Sequence, residues 1–405
     1  MVSKRFFAGA VALLLLATFL AAEGLNSEPG KDELHFQDSA RVFAGGFGLE
    51  ALHSYPELVT PLSLVIWGEL DHVTGDGLYA GRALNLVLIG VVICLVAFSS
   101  AQLWPHGARA ALGLVLFPYV LPLSVRLYSD TFGAFFVVAG AIALARRRNA
   151  LAFIAFALAI STRQYLIQIP AALAAAELVA IHRGEGGSWK AIVASAASGL
   201  VLLGWVAFFG GLAPPQGIET WVEFYPAPMM NAGDFILHHG LYFLTGIGAY
   251  FVVVEALVFR RNPVSALLDR RGLFCALALG ALFWLDPPVL SLRHPGGPIG
   301  RVARTVLPPP DFDWARVAIY YALALLAVRR FAERIDVGFW LVASGFVLAM
   351  KQQLPWEKYL FPTLAVLWTH VSLGSIAAYG AGDARTSAAE NGLVKQSLPS
   401  PGFKT

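Results

Sequence analysis

Charge is scarce in this chain of 405 residues: Asp, Glu, Lys and Arg together make up 14%, where soluble domains carry about 25%. That deficit excludes an ordinary water-soluble globule. Cysteine is nearly absent as well. Cys94 and Cys275 sit in apolar runs with no Cys-x-x-Cys or Cys/His spacing, which excludes a disulfide scaffold or a structural zinc site and reads them as small buried apolar residues. An excess of one sign is missing too: 29 basic against 26 acidic residues, with no basic cluster interleaved with aromatics, argues against nucleic acid as a partner. No P-loop, HExxH, GxSxG or dinucleotide fingerprint is present, and no repeat of 20–50 residues. The internal Lys31-Asp32-Glu33-Leu34 is no retention signal, because that address is read only at a C-terminus.

What the chain does have is apolar residues, 57% of the total, in long runs. The first follows Lys4-Arg5 and ends near Ala22; the others fall near 79–99, 110–126, 131–145, 149–162, 165–181, 190–210, 236–259, 272–286, 315–328, 337–350 and 357–376. A membrane-crossing helix needs about 20 predominantly apolar residues, so the pattern predicts an all-α polytopic membrane protein of about 12 spans. Residues 1–378 read as one transmembrane domain. The segment 379–405, rich in Gly, Ser, Ala and Pro, reads as a disordered cytoplasmic tail. A cleaved leader ending near Ala22 is the alternative to a retained first span.

Threading the runs from a cytoplasmic N-terminus gathers Lys4, Arg5, Arg109, Arg146 to Arg148, Arg183, Lys190, Arg260, Arg261, Arg270, Arg271, Arg329, Arg330 and Arg334 on one side. Four acids, Glu185, Asp269, Glu333 and Asp336, share it. The spans were chosen by hydrophobicity alone, so this segregation supports the topology and places both termini in the cytoplasm. With 22 arginines to 7 lysines and abundant Ala and Gly, the composition suits a GC-rich bacterial genome and hence an inner membrane.

The other side is acidic. Between Glu23 and Asp76 lie ten acids and only two bases, Lys31 and Arg41. Phe36, Ala40, Phe43 and Phe47 recur there at helical spacing, which predicts an amphipathic helix lying on the membrane with its apolar face down. Val59 to Trp67, bracketed by Pro56 and Pro61, is too short to cross and reads as a re-entrant turn.

Asp32-Glu33, at the mouth of that helix, is the first chemical candidate: a carboxylate there can act as general base toward a hydroxyl. The plainer reading makes Asp32 a helix N-cap and Glu33 a first-turn acid. The outer ends of the spans hold further polar residues: Arg82 and Asn85, Arg126 with Tyr128 and Asp130, Arg163-Gln164, Asp234 with His238-His239, and Glu357-Lys358-Tyr359. Ionisable groups at membrane depth are costly and tend to line a cavity. Arg163 sits between two apolar runs, where a guanidinium can hold a lipid-borne phosphate, unless it merely snorkels to the interface. His35, His53, His72, His238, His239 and His294 fall on the same side. Asp311-Phe312-Asp313 matches the DxD pattern of metal and sugar-nucleotide sites, but it lies in an outer loop away from cytosolic nucleotides.

These residues together resemble a family. An Asp-Glu pair in the first outer loop of a many-span protein resembles the GT-C glycosyltransferases, which take a sugar from a polyprenyl-phosphate carrier on the non-cytoplasmic face. Within that fold the dolichyl-phosphate-glucose α-1,2-glucosyltransferases are the most similar. Asp32-Glu33-Leu34-His35-Phe36 resembles the family's Asp-Glu-x-Phe-His, with the histidine displaced by one. Thr60-Pro61, Arg82 with Asn85, Leu127-Tyr128-Ser129-Asp130, Arg163-Gln164, Gly233-Asp234 with His238-His239, and Glu357-Lys358-Tyr359 with Pro362 resemble further family segments in the same order. Lys358 stands where the family has Arg, and the family's late Asp-Asn-Arg-His block has no clear counterpart near Asp313-Arg316.

The resemblance implies an inverting transfer of a hexose, glucose favoured, from a polyprenyl-phosphate donor to a lipid-linked glycan or other acceptor hydroxyl. On this reading Asp32 is the base and Glu33 the alternate or positioning residue. Arg163, Lys358, His238 and His239 bind the donor phosphate. His35, Arg82, Asp130, Gln164, Asp234, Glu357 and Tyr359 line the substrate. The metal requirement is unknown, with a divalent ion kept open as a cofactor. The partners are the lipid-linked donor, the acceptor and membrane lipid. Two rivals remain: a transporter or flippase for lipid-linked sugars, which predicts paired repeats and broken midplane helices, and an assembly protein of the cell envelope, which predicts that Asp32, Arg163 and Lys358 stay apart.

Overall fold

A computed structural model describes residues 3–99, 104–224, 234–260, 270–288, 297–352 and 356–376. The tail expected over 379–405, Gly233 and His294 lie outside these. Among the described residues the chain is helical, without strands, as the composition requires. Among the described residues five helices are long and apolar enough to cross a membrane: Lys4–Ala21, Gly77–Phe98, Gln164–His182, Trp189–Phe209 and Leu237–Phe259. Asp130–Ala145, Asn149–Thr162 and Val337–Ala349 are equally apolar but shorter. The expected run over 110–126 is broken into Trp104–Val115 and Val120–Ser124. Pro118 lies between them, and without an N–H it removes a bond from the helical ladder.

The first five helices are α1 (Lys4–Ala21), α2 (Lys31–Ala44), α3 (Leu49–Ser54), α4 (Leu62–Thr74) and α5 (Gly77–Phe98). The main core is built around Phe361–Leu373, in which every residue from Phe361 to Ser372 is buried. A helix apolar on all sides belongs in the middle of a bundle, and this one packs against α5, Trp104–Val115, Asp130–Ala145 and Val337–Ala349.

A smaller core corrects one expectation. The stripe of α2 does not face lipid: Phe36, Ala40 and Phe43 pack with Leu64, Trp67, Leu127 and Phe132. Phe47 lies beyond the helix and is 63% exposed, because α2 stops at Ala44 before Gly45-Gly46, and Gly46 takes a φ of 113° open only to glycine. The segment read as a re-entrant turn supplies α2's partner, α4. The two helices touch at Gly68, where an added Cβ would stand 2.7 Å from Phe43 Cβ and collide with the Ala40 carbonyl.

The helices carry chemistry at one end and arginine at the other. Asp130 opens its helix and Arg146 closes it. Arg163 follows Thr162 at one end of Asn149–Thr162, and Arg148 precedes the other. Gln164 begins its span and Arg183 caps it. At the arginine end Arg147 pairs with Glu177 at 2.8 Å, and Arg183 donates to the Ile335 carbonyl at 3.2 Å. The charge segregation seen in the sequence is therefore also a segregation in space.

Candidate active site

Asp32 and Glu33 occupy successive positions in the first turn of α2, so they point about 100° apart. Gly30 is the N-cap, and Glu33 closes the turn by accepting from the Gly30 N–H at 2.9 Å. Glu33 is fully buried. It also accepts from Arg82 at 2.9 and 3.0 Å, from Arg126 at 3.0 Å and from the Leu127 amide at 2.8 Å. Arg82 in turn donates to the Leu25 and Ser27 carbonyls at 2.7 and 2.8 Å. Glu33 and Arg82 are thereby committed to one another and to the backbone. Asn85, one turn along α5, holds the Arg126 and Tyr128 carbonyls at 2.7 and 3.1 Å and sets the path of the segment beneath Asp32.

Asp32 faces the other way. Its side chain is 31% exposed and meets Lys358 Nζ at 2.9 Å and the Tyr128 hydroxyl at 3.4 Å. Lys358, nearly buried, lies 4.4 Å from the Tyr128 ring centre and 4.0 Å from that of Trp356. Ring faces attract a cation.

Tyr359 joins this pair to a second one. Its ring lies 5.7 Å from both Lys358 Nζ and the Arg163 guanidinium carbon. Arg163 bonds Asp130 at 3.1 Å, and the other Asp130 oxygen accepts from Tyr165 at 2.7 Å. Arg163 Nε is buried with no hydrogen-bond partner, so the guanidinium keeps an unused donor. Asp32, Lys358 and Arg163 thus lie in one neighbourhood, the first two in contact and the third across the Tyr359 ring.

A fourth acid stands with them. Glu57 interacts electrostatically with Arg163, Asp32 and Lys358, and burial pushes its carboxyl up to about 7. Its backbone is held from two sides: Gln164 Nε2 donates to the Leu58 carbonyl at 2.6 Å, and Gly217, where a Cβ would strike the Glu57 carbonyl, lets Pro215–Phe224 close over the loop. Sequence reading counted Glu57 among the loop acids without selecting it. Its flanking Pro56 was the only local signal, and no spacing relation ties it to Asp32.

The remaining candidates are placed differently. Gln164 clamps the Leu58 and Leu212 carbonyls. Glu357, adjacent to Lys358 in sequence, points away from it. It accepts from Tyr242 and Tyr250 and from the amides of Ile299 and Gly300 at the start of Pro298–Val306. His238 Nδ1 lies 2.9 Å from Asp286, and His239 Nδ1 lies 2.6 Å from the Gln352 carbonyl. A small cavity lined by His239, Tyr242, Trp356 and Tyr359 adjoins the Lys358 surroundings, so His239 neighbours the cluster without touching Asp32. Asp234 is exposed and its carbonyl accepts from Lys351; His35 is exposed on α2. Asp313 pairs with Arg316 in the same turn rather than with Asp311. Among the described residues no group of three or more His, Cys, Asp or Glu side chains forms a metal-ligand set.

The arrangement places a part-exposed carboxylate against an ammonium, with a guanidinium carrying a free N–H nearby. Such a set can accept a proton from a hydroxyl and hold an anionic leaving group. No family model and no curated protein matches the chain. Among solved structures it is similar to ArnT from Cupriavidus metallidurans bound to undecaprenyl phosphate, at 17% identity and a TM-score of 0.44, covering 92% of this chain and 78% of that one.

Proposed function

We propose that the chain is an integral-membrane inverting glycosyltransferase that moves a hexose, glucose favoured, from a polyprenyl-phosphate donor to an acceptor hydroxyl. The observation that carries the reading is the meeting of Asp32 with Lys358, 326 positions away, beside Arg163 and Asp130. Asp32 takes the proton of the acceptor hydroxyl while its oxygen attacks the anomeric carbon. The bond from that carbon to the phosphate oxygen breaks on the opposite face, and the lipid phosphate leaves with the bonding pair. Lys358 and the free N–H of Arg163 stabilise the charge gathering on it. Glu33 serves as the anchor that aims Asp32, and the donor-binding role narrows to Arg163 and Lys358. The arginine-rich end faces the cytoplasm and the site faces outward.

Purified protein supplied with polyprenyl-phosphate glucose, mannose or arabinose and a lipid-linked acceptor tests this. Asp32→Asn is expected to keep the melting temperature and lower transfer by at least 100-fold, within the range of a lost general base, roughly 10²–10⁴-fold. Wild-type turnover in that variant removes Asp32 as the base. Carrier movement across vesicles without sugar transfer would favour the flippase reading instead.

A further inference from the structure

At the arginine end of the bundle, away from Asp32, α1 and α5 enclose an open groove of about 590 Å³, within the range of roughly 300–1,000 Å³ typical of small-molecule pockets. Its walls are Val11 and Leu15 of α1, Val91, Leu95 and Phe98 of α5, and Ile142. Two features keep it open. Ala8 and Ala12 present small side chains from α1, and Gly90 sets the close approach beyond them, since a Cβ there would stand 2.6 Å from Leu15 Cδ1.

The groove ends in positive charge. Arg146, exposed and directed to the Ser99 carbonyl at 3.0 Å, lines its mouth. Lys4 stands one helical turn before Ala8, on the same face of α1, and lies 5.9 Å from the Trp104 ring centre. Trp104 stacks on Phe98 at 5.0 Å and meets Phe7 edge-on at 5.5 Å. Among the described residues no acid lines the groove. Apolar walls, an aromatic pair at the rim and two cations at one end match a lipid chain, its interfacial region and its phosphate in that order.

We propose that this groove binds one acyl chain of an anionic glycerophospholipid, with its phosphate held between Lys4 and Arg146. The charge at the mouth selects an anionic headgroup over a zwitterionic one, and the site acts independently of sugar transfer. Native mass spectrometry of the detergent-purified full chain, titrated with phosphatidylglycerol, phosphatidylcholine or undecaprenyl phosphate, tests it. The wild type is expected to retain one phosphatidylglycerol in preference to phosphatidylcholine. Lys4→Gln combined with Arg146→Gln should weaken that retention about thirtyfold, from the usual contribution of a basic group beside an anionic lipid, and Arg146→Lys should preserve it. Val91→Trp should fill the groove and abolish retention. Val87→Trp, at a groove position 58% exposed, serves the same purpose should Val91→Trp fail to fold. Equal retention of phosphatidylcholine, indifference to the tryptophan variants, or stronger binding of undecaprenyl phosphate would each overturn the proposal.

Discussion

Asp32 and Glu33 are chemical near-twins whose surroundings separate them. Glu33 is enclosed by two arginines and two backbone amides, so its removal strands charge rather than chemistry. Glu33→Gln leaves the Arg82 guanidinium, 1% exposed, without its counter-ion. A buried pair broken on one side costs about 3–5 kcal/mol, and the expected outcome is a clearly lowered melting temperature, against little change for Asp32→Asn. Glu57 bears on pH. Its carboxyl, raised from 4.5 to about 7, stays protonated in the folded chain over a range where the unfolded chain has released the proton. Stability therefore falls as pH rises through that window. Subtracting the melting curve of Glu57→Gln from that of wild type between pH 4 and 8 should expose this slope, and parallel curves would remove Glu57 from the buried cluster.

At the scale of elements, α2 and α4 hold Asp32 in its place. The stripe of Phe36, Ala40 and Phe43 is plain in the sequence, and so is the helix it makes. Its partner is not, because an apolar face reads the same whether lipid or another helix covers it. The close approach at Gly68 is what permits the pairing, with backbone and Phe43 rather than a flexible side-chain end in the way. Gly68→Ala should push the two helices apart at a cost of about 1–3 kcal/mol. Because Asp32 rides on α2, transfer should fall together with the melting temperature. A drop in stability with full activity would show that α4 does not set the position of Asp32.

Across the whole molecule, charge is distributed along one axis: arginines at one end, a cluster of acids, cations and tyrosines at the other. Hydrophobic periodicity and the placement of basic residues made the helical class and the two ends readable. Motif order singled out Asp32, Asp130, Arg163, Lys358 and Tyr359, which converge. It also singled out Arg82, Gln164 and Glu357, which prove to hold backbone and neighbouring side chains, because a motif marks a position without saying which way its side chain points. Glu57 escaped notice for the converse reason, since only three-dimensional closure of its loop brings it to Arg163. The contact between Asp32 and Lys358 has a consequence for biosynthesis. The ribosome releases Asp32 early and Lys358 only after 326 further positions, so a nascent chain inserted up to Val337–Ala349 carries the Asp32 carboxylate without its ammonium partner. The site comes into being when Phe361–Leu373 enters the middle of the bundle, and maturation of the site and insertion of the last described helix are one event.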